Sequence, residues 1–132
     1  MKTTLFTLLL AGPVLAYAAG AKQPDLLGDC MDKATAQGAM IKSATADCLA
    51  EEAKRQDAKL NATYKQAMKS LPAARQKKLV VAQRAWITFR DANCAIFADS
   101  DGDALAEGEV ASCVADLTAE RAKGLREIAN SQ

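Results

Sequence analysis

The stretch AQRAWITFRDANC, residues 82–94, decides the fold. At roughly 100° per residue, a helix through it aligns Leu79, Trp86 and Phe97 in one stripe. Val80, Ile87 and Cys94 flank that stripe on one side and Phe89 on the other, while Arg84, Thr88, Ala92 and Ala95 fall opposite. This pattern predicts a helix over about 73–97. Pro72 stands just before it, where proline ends the preceding element.

Two more long segments carry the same period. Upstream, Leu49, Ala53, Leu60, Ala67 and Leu71 share a face and predict a helix over about 45–71, capped by Thr45 or Asp47. Glu51 and Glu52 fall in its first turns, where negative charge suits the helix dipole. Downstream, Val110, Val114, Leu117, Leu125 and Ile128 form a stripe, with Cys113 at its edge, and predict a helix over about 104–129. A shorter helix is expected around Asp25 to Ala36. Aromatic residues make up only 5 % of the chain, and alanine, leucine, lysine, glutamate and glutamine dominate, a composition that favours helix. The expected fold is all-α: a small antiparallel bundle of three to four helices with short connections.

The N-terminal stretch reads differently. Lys2 precedes an apolar run from Leu5 to Leu15, and Ala16-Tyr17-Ala18 has the small-x-small form of a signal-peptide cleavage site, with Ala19-Gly20-Ala21 as a second one. Residues 1–18 are therefore expected to be a secretory signal peptide, cleaved as late as residue 21 on the second reading, and residues 19–132 a single domain. The run is too short to persist as a membrane-spanning helix. Removal of Lys2 takes the balance from 17 basic against 16 acidic residues to 16 against 16. Near-neutrality gives no reason to expect nucleic acid or an anionic membrane as partner.

Cys30, Cys48, Cys94 and Cys113 follow the leader. An even number in an exported domain points to disulfides, and the localisation expected is periplasmic or secreted. Four cysteines admit three pairings. Cys30–Cys48 and Cys94–Cys113 are preferred because each pair flanks a short, loop-like stretch. Zinc is disfavoured, since the chain has no C-x-x-C pair and no histidine. The missing histidine also removes the commonest general base and excludes Ser-His-Asp and Cys-His machinery. Phosphate-binding glycine motifs are absent. No catalytic residue and no cofactor is expected, and the chain reads as a non-enzyme.

Polar residues inside the apolar stripes are the informative ones. Gln83 and Arg90 project near the line of Leu79, Trp86 and Phe97; Arg121 projects among Val114, Leu117, Leu125 and Ile128; Asp57, Asn61 and Tyr64 flank the first long helix's apolar face. A buried arginine needs a carboxylate or several carbonyls, and Asp57, Asp91 and Asp116 are placed to serve. The expectation is a structural polar network of Asp57, Asn61, Tyr64, Gln83, Trp86, Arg90 and Arg121. A ligand- or partner-binding groove is the competing reading.

Charge is distributed unevenly. No lysine or arginine occurs between Asp91 and Glu120, a stretch holding eight carboxylates, whereas Arg75, Lys77 and Lys78 cluster elsewhere. Asp99, Asp101, Asp103, Glu107 and Glu109 are the candidate partner-binding residues, suited to a basic protein. Asp99, Asp101 and Asp103 have the spacing that opens an EF-hand loop. The match then fails, because Ala104 stands where that loop needs glycine and Val110 where it needs glutamate.

The blocks Asp57-x-x-Leu60-Asn61-x-x-Tyr64, Ala82-Gln83-Arg84-Ala85-Trp86-Ile87-x-Phe89-Arg90-Asp91-x-x-Cys94, then Cys113 and Leu117-Thr118-x-x-Arg121-x-x-x-Leu125, together resemble the N-terminal domain of the LprI family of lysozyme inhibitors. The resemblance runs from about Cys30 to Leu125. It implies an exported, disulfide-containing helical domain that binds lysozyme, with a c-type enzyme as the expected partner. The alternative is an interaction module of the cell envelope without lysozyme activity. This chain departs from lipoprotein members in having no cysteine before Cys30. Because the EF-hand match fails, millimolar calcium is expected to leave the thermal unfolding midpoint unchanged; an upward shift would reveal a bound ion.

Overall fold

The computed structural model describes residues 24–38, 40–98 and 102–131. The expected signal peptide, Asp99 and Asp101 lie outside the described residues. Four helices follow one another: α1 (Leu26–Ala36), α2 (Ile41–Ser70), α3 (Ala73–Cys94) continued by a 3-10 turn (Ala95–Phe97), and α4 (Ala104–Asn130). No strand occurs among the described residues.

Local chemistry sets the helix ends. Asp25 caps α1, its carboxylate accepting from the Gly28 amide at 2.9 Å. The expected caps for α2, Thr45 and Asp47, lie inside it instead, because the helix begins at Ile41. At its other end α2 stops before Pro72. Gln76 Nε2 there donates to the carbonyls of Met68 and Leu71, both at 2.9 Å. One side chain from the next helix thus satisfies two terminal acceptors.

Each helix runs back along the one before it. Cys30–Cys48 ties α1 to α2, and Cys94–Cys113 ties α3 to α4, the pairing expected from the sequence. Consequently α2 and α4 run parallel. Gly108 lies beside Ala46 and Leu49 near the start of both helices, while Ala122 and Leu125 cluster with Leu60, Ala67 and Leu71 near their ends.

Among the described residues, the most extensive close approach of backbones is between α2 and α4. Small residues permit this. On α4 the buried positions are Gly108, Ala115, Thr118, Ala122 and Leu125; on α2 they include Ala46, Leu60, Thr63 and Ala67. The stripe expected on α4 is therefore displaced: of its members only Leu125 is buried, and Val110, Val114, Leu117 and Ile128 flank the contact half-buried. A neighbouring helix that comes so near leaves no room for bulky side chains on the centre line.

On α3, Leu79, Gln83 and Cys94 are buried and Trp86 is half-buried, but Phe97 is exposed. No residue of α1 is buried, so the Cys30–Cys48 bond is its firmest attachment.

A β-carbon added at Gly108 would sit 3.5 Å from the Ala46 Cα, an ordinary contact. Gly108→Ala is expected to be neutral or to stabilise by up to about 1 kcal/mol through helix propensity. Gly108→Leu forces the helices apart and is expected to cost roughly 1–3 kcal/mol. Urea unfolding of the two variants checks the difference in sign.

Candidate functional site

Two regions hold the residues singled out in the sequence. The first is a groove between α2 and α3. Asp57, Asn61 and Tyr64 rise from successive turns of α2, Gln83 and Arg90 from α3, and with Leu60, Val80, Arg84 and Ile87 they enclose about 460 Å³.

Arg90 is the hub. Its Nε donates to Asp91 Oδ1 at 2.9 Å, its Nη2 lies 2.8 Å from the same oxygen, and its Nη1 donates to the Thr118 hydroxyl at 3.4 Å. Asp57 stands 4.0 Å from Nη1 and accepts a 2.8 Å bond from the Asn61 amide. The guanidinium also sits 5.2 Å from the Trp86 ring centroid, within cation–π range. Arg90 therefore reaches α2, α4 and its own helix. Both carboxylates are more than half exposed, so the ion pairs are solvent-screened and orient more than they stabilise.

Arg121 has a different partner. Its Nε donates to Gln83 Oε1 at 2.9 Å, joining α4 to α3. The partner is a neutral amide rather than one of the carboxylates placed to serve, and burial lowers the Arg121 pKa from its ordinary value. Asp116 is exposed. Tyr64 lines the groove and packs against the core.

The seven expected network residues thus lie close together but divide into an Arg90 cluster and a Gln83–Arg121 pair. The sequence reading missed Thr118, fully buried in the α2–α4 contact. Its signal was the small-residue spacing Gly108, Ala111, Ala115, Thr118, Ala122 along α4.

The second region is the acidic end. Asp103 is the residue before α4 and Glu107 lies in its first turn, where their charge suits the helix dipole. Both are exposed and, with Ala98, Gly102, Ala106 and Val110, line a shallow hollow of about 320 Å³. Glu109 points the other way, into a hollow lined also by Lys42, Thr45, Leu49 and Leu105. The carboxylates therefore occupy two sides of α4. Next to them, Ile96 is 73 % and Phe97 41 % exposed.

Among the described residues, no three metal-ligating side chains converge and no helix is long and apolar enough to cross a membrane. What these features define is a helical domain held by two disulfides, with a polar clamp between helices and exposed carboxylates at one end. The chain belongs to the LprI family, described as lysozyme inhibitor LprI, whose family model matches residues 30–125. That is an inhibitor family rather than an enzyme family, and with the disulfides it is consistent with an extracytoplasmic protein. No curated protein and no solved structure matches the chain.

Removing one member of the Gln83–Arg121 pair strands a half-buried cation. Gln83→Leu is expected to destabilise by about 1–3 kcal/mol. The double change Gln83→Leu/Arg121→Met should recover much of that loss, because it replaces both polar partners with apolar groups. A double-mutant cycle in urea measures the coupling; additive losses would show that the pair is not an interacting unit.

Proposed function

We propose that the protein is exported by a signal peptide over residues 1–18, resides in the periplasm or outside the cell, and inhibits a c-type lysozyme by occluding its cleft. The observation that carries this reading is the family match over residues 30–125. Charge supports it. The stretch from Asp91 to Glu120 carries no basic residue, and Asp103, Glu107 and Glu109 stand exposed at one end of the bundle.

In this reading the acidic end, Asp99, Asp101, Asp103, Glu107 and Glu109, engages the basic surface around the enzyme's cleft. Such an enzyme works with two carboxylates flanking the scissile bond. An inhibitor need only keep the polysaccharide out; it needs no catalytic group of its own. Opposite charges steer encounter, so the association rate should fall as salt rises. Next to the carboxylates, exposed Ile96 and Phe97 supply the apolar area that the centre of a stable interface needs.

A lysis assay titrated with the oxidised protein tests the reading. Inhibition is expected to be stoichiometric and to weaken after reduction. The double charge reversal Asp103→Lys/Glu107→Lys is expected to raise the inhibition constant about tenfold or more at low salt, with a smaller effect at high salt. An unchanged constant would reject the acidic end as the contact. Absence of inhibition at large molar excess, by protein whose circular dichroism shows it folded, would reject lysozyme as the partner and favour an envelope interaction module.

A further inference from the structure

α3 is apolar on two faces, and only one of them is used. Its inner face carries Leu79, Gln83, Trp86 and Cys94. Its outer face carries Lys78, Ala82, Ala85, Phe89 and Ala92, continued by Ile96 in the 3-10 turn. These positions alternate in steps of four and three, the repeat of a helix that packs along a second helix. All are exposed: Phe89 by 54 % and Ile96 by 73 %, with Val81 beside the stripe at 68 %. A run of exposed large apolar side chains along one helix marks an association surface.

We infer that this face pairs with the same face of a second copy of the chain, the two α3 helices running antiparallel about a two-fold axis beside Phe89. Two observations select that occupant. The first is the order of side-chain sizes, which reads nearly the same from either end. With the axis between residues 88 and 89, Ala85 faces Ala92 of the second copy and Val81 faces its Ile96. Each Phe89 faces Thr88 of the second copy, so the two rings flank the axis at the centre. Alanine opposite alanine on both sides of the axis lets the backbones approach, and phenylalanine fills the middle.

The second is charge. Lys77 and Lys78 stand exposed at one end of the stripe. At the other, Asp103 and Glu107 stand exposed around Ala98, just past Ile96. Antiparallel pairing brings each basic end to an acidic end, twice, by symmetry. Parallel pairing would set like charges together, which is destabilising. The surface is self-complementary in one orientation only.

The pairing covers two of the carboxylates proposed to meet lysozyme, so a second copy and lysozyme would exclude one another there. Self-association is measured without lysozyme and therefore stands or falls independently of the inhibitor reading.

Sedimentation equilibrium of the exported chain, both disulfides intact, tests the pairing. A reversible dimer is expected at about 100 µM in low salt. Phe89→Asp and Ile96→Asp, both at exposed positions and checked for helix content, should each give monomer. Lys77→Glu/Lys78→Glu should weaken the dimer about tenfold or more, and adding Asp103→Lys/Glu107→Lys to it should restore association. Monomer throughout for the unaltered chain would overturn the inference. So would a dimer indifferent to Phe89→Asp, or a charge swap that fails to restore association.

Discussion

The close approach of α2 and α4 is the constraint from which the rest of the structure follows. Two long parallel helices lie against each other because glycine, alanine and threonine occupy the line of contact, with leucine taking over towards their ends. Dispersion and burial are then gained by many small contacts between backbones and short side chains rather than by a few large residues. Such a seam tolerates little bulk, but it also orders little side-chain entropy, since alanine and glycine have none to lose. It leaves α3 farther from α2, a gap that long side chains bridge. Trp86, Gln83 and Arg90 do so, and the Cys94–Cys113 bond fixes one end. Gln76 fixes the other by holding the last carbonyls of α2.

How much of this the sequence discloses depends on the distance between elements. Helix identity is legible because it rests on period and composition, and Pro72 and the acidic turn bound the segments. Disulfide pairing is legible because each pair brackets one connection between antiparallel helices. The buried face of α4 is not. Val110, Val114, Leu117 and Ile128 are the more hydrophobic residues, and a reading by hydrophobicity puts them inside; the axis separation, which no single helix encodes, reserves the centre for smaller ones. The start of α2 at Ile41 is missed for a related reason: it has no side-chain cap to announce it.

The candidate site shows the same division. That Asp57, Asn61, Tyr64, Gln83, Trp86, Arg90 and Arg121 come together was readable from their projection onto helix faces. Which of them bond was not, because partner choice depends on register between helices. Arg121 meets Gln83 rather than a carboxylate because α3 and α4 are in register at those positions, and Asp91, adjacent in sequence, captures Arg90 before Asp57 can. For the acidic end, the sequence gives composition, while the structure separates Asp103 and Glu107 from Glu109 by the turn of the helix.

Large apolar residues are scarce in this chain, and their placement is therefore informative. Phe89 and Phe97 are the phenylalanines among the described residues, and both are exposed, whereas the largest fully buried side chains are Leu125, Thr118, Cys48 and Cys94. Burying a phenylalanine would contribute roughly 1.5–3 kcal/mol, a gain the bundle forgoes twice. A core built from small residues and fastened by disulfides does not need those rings. They are free to serve on the surface, where an exposed aromatic costs solubility unless a partner covers it. The division of labour between a small-residue seam that makes the fold and bulky side chains left outside it is what leaves Phe89 on α3, and Phe97 in the turn that follows it, on the surface.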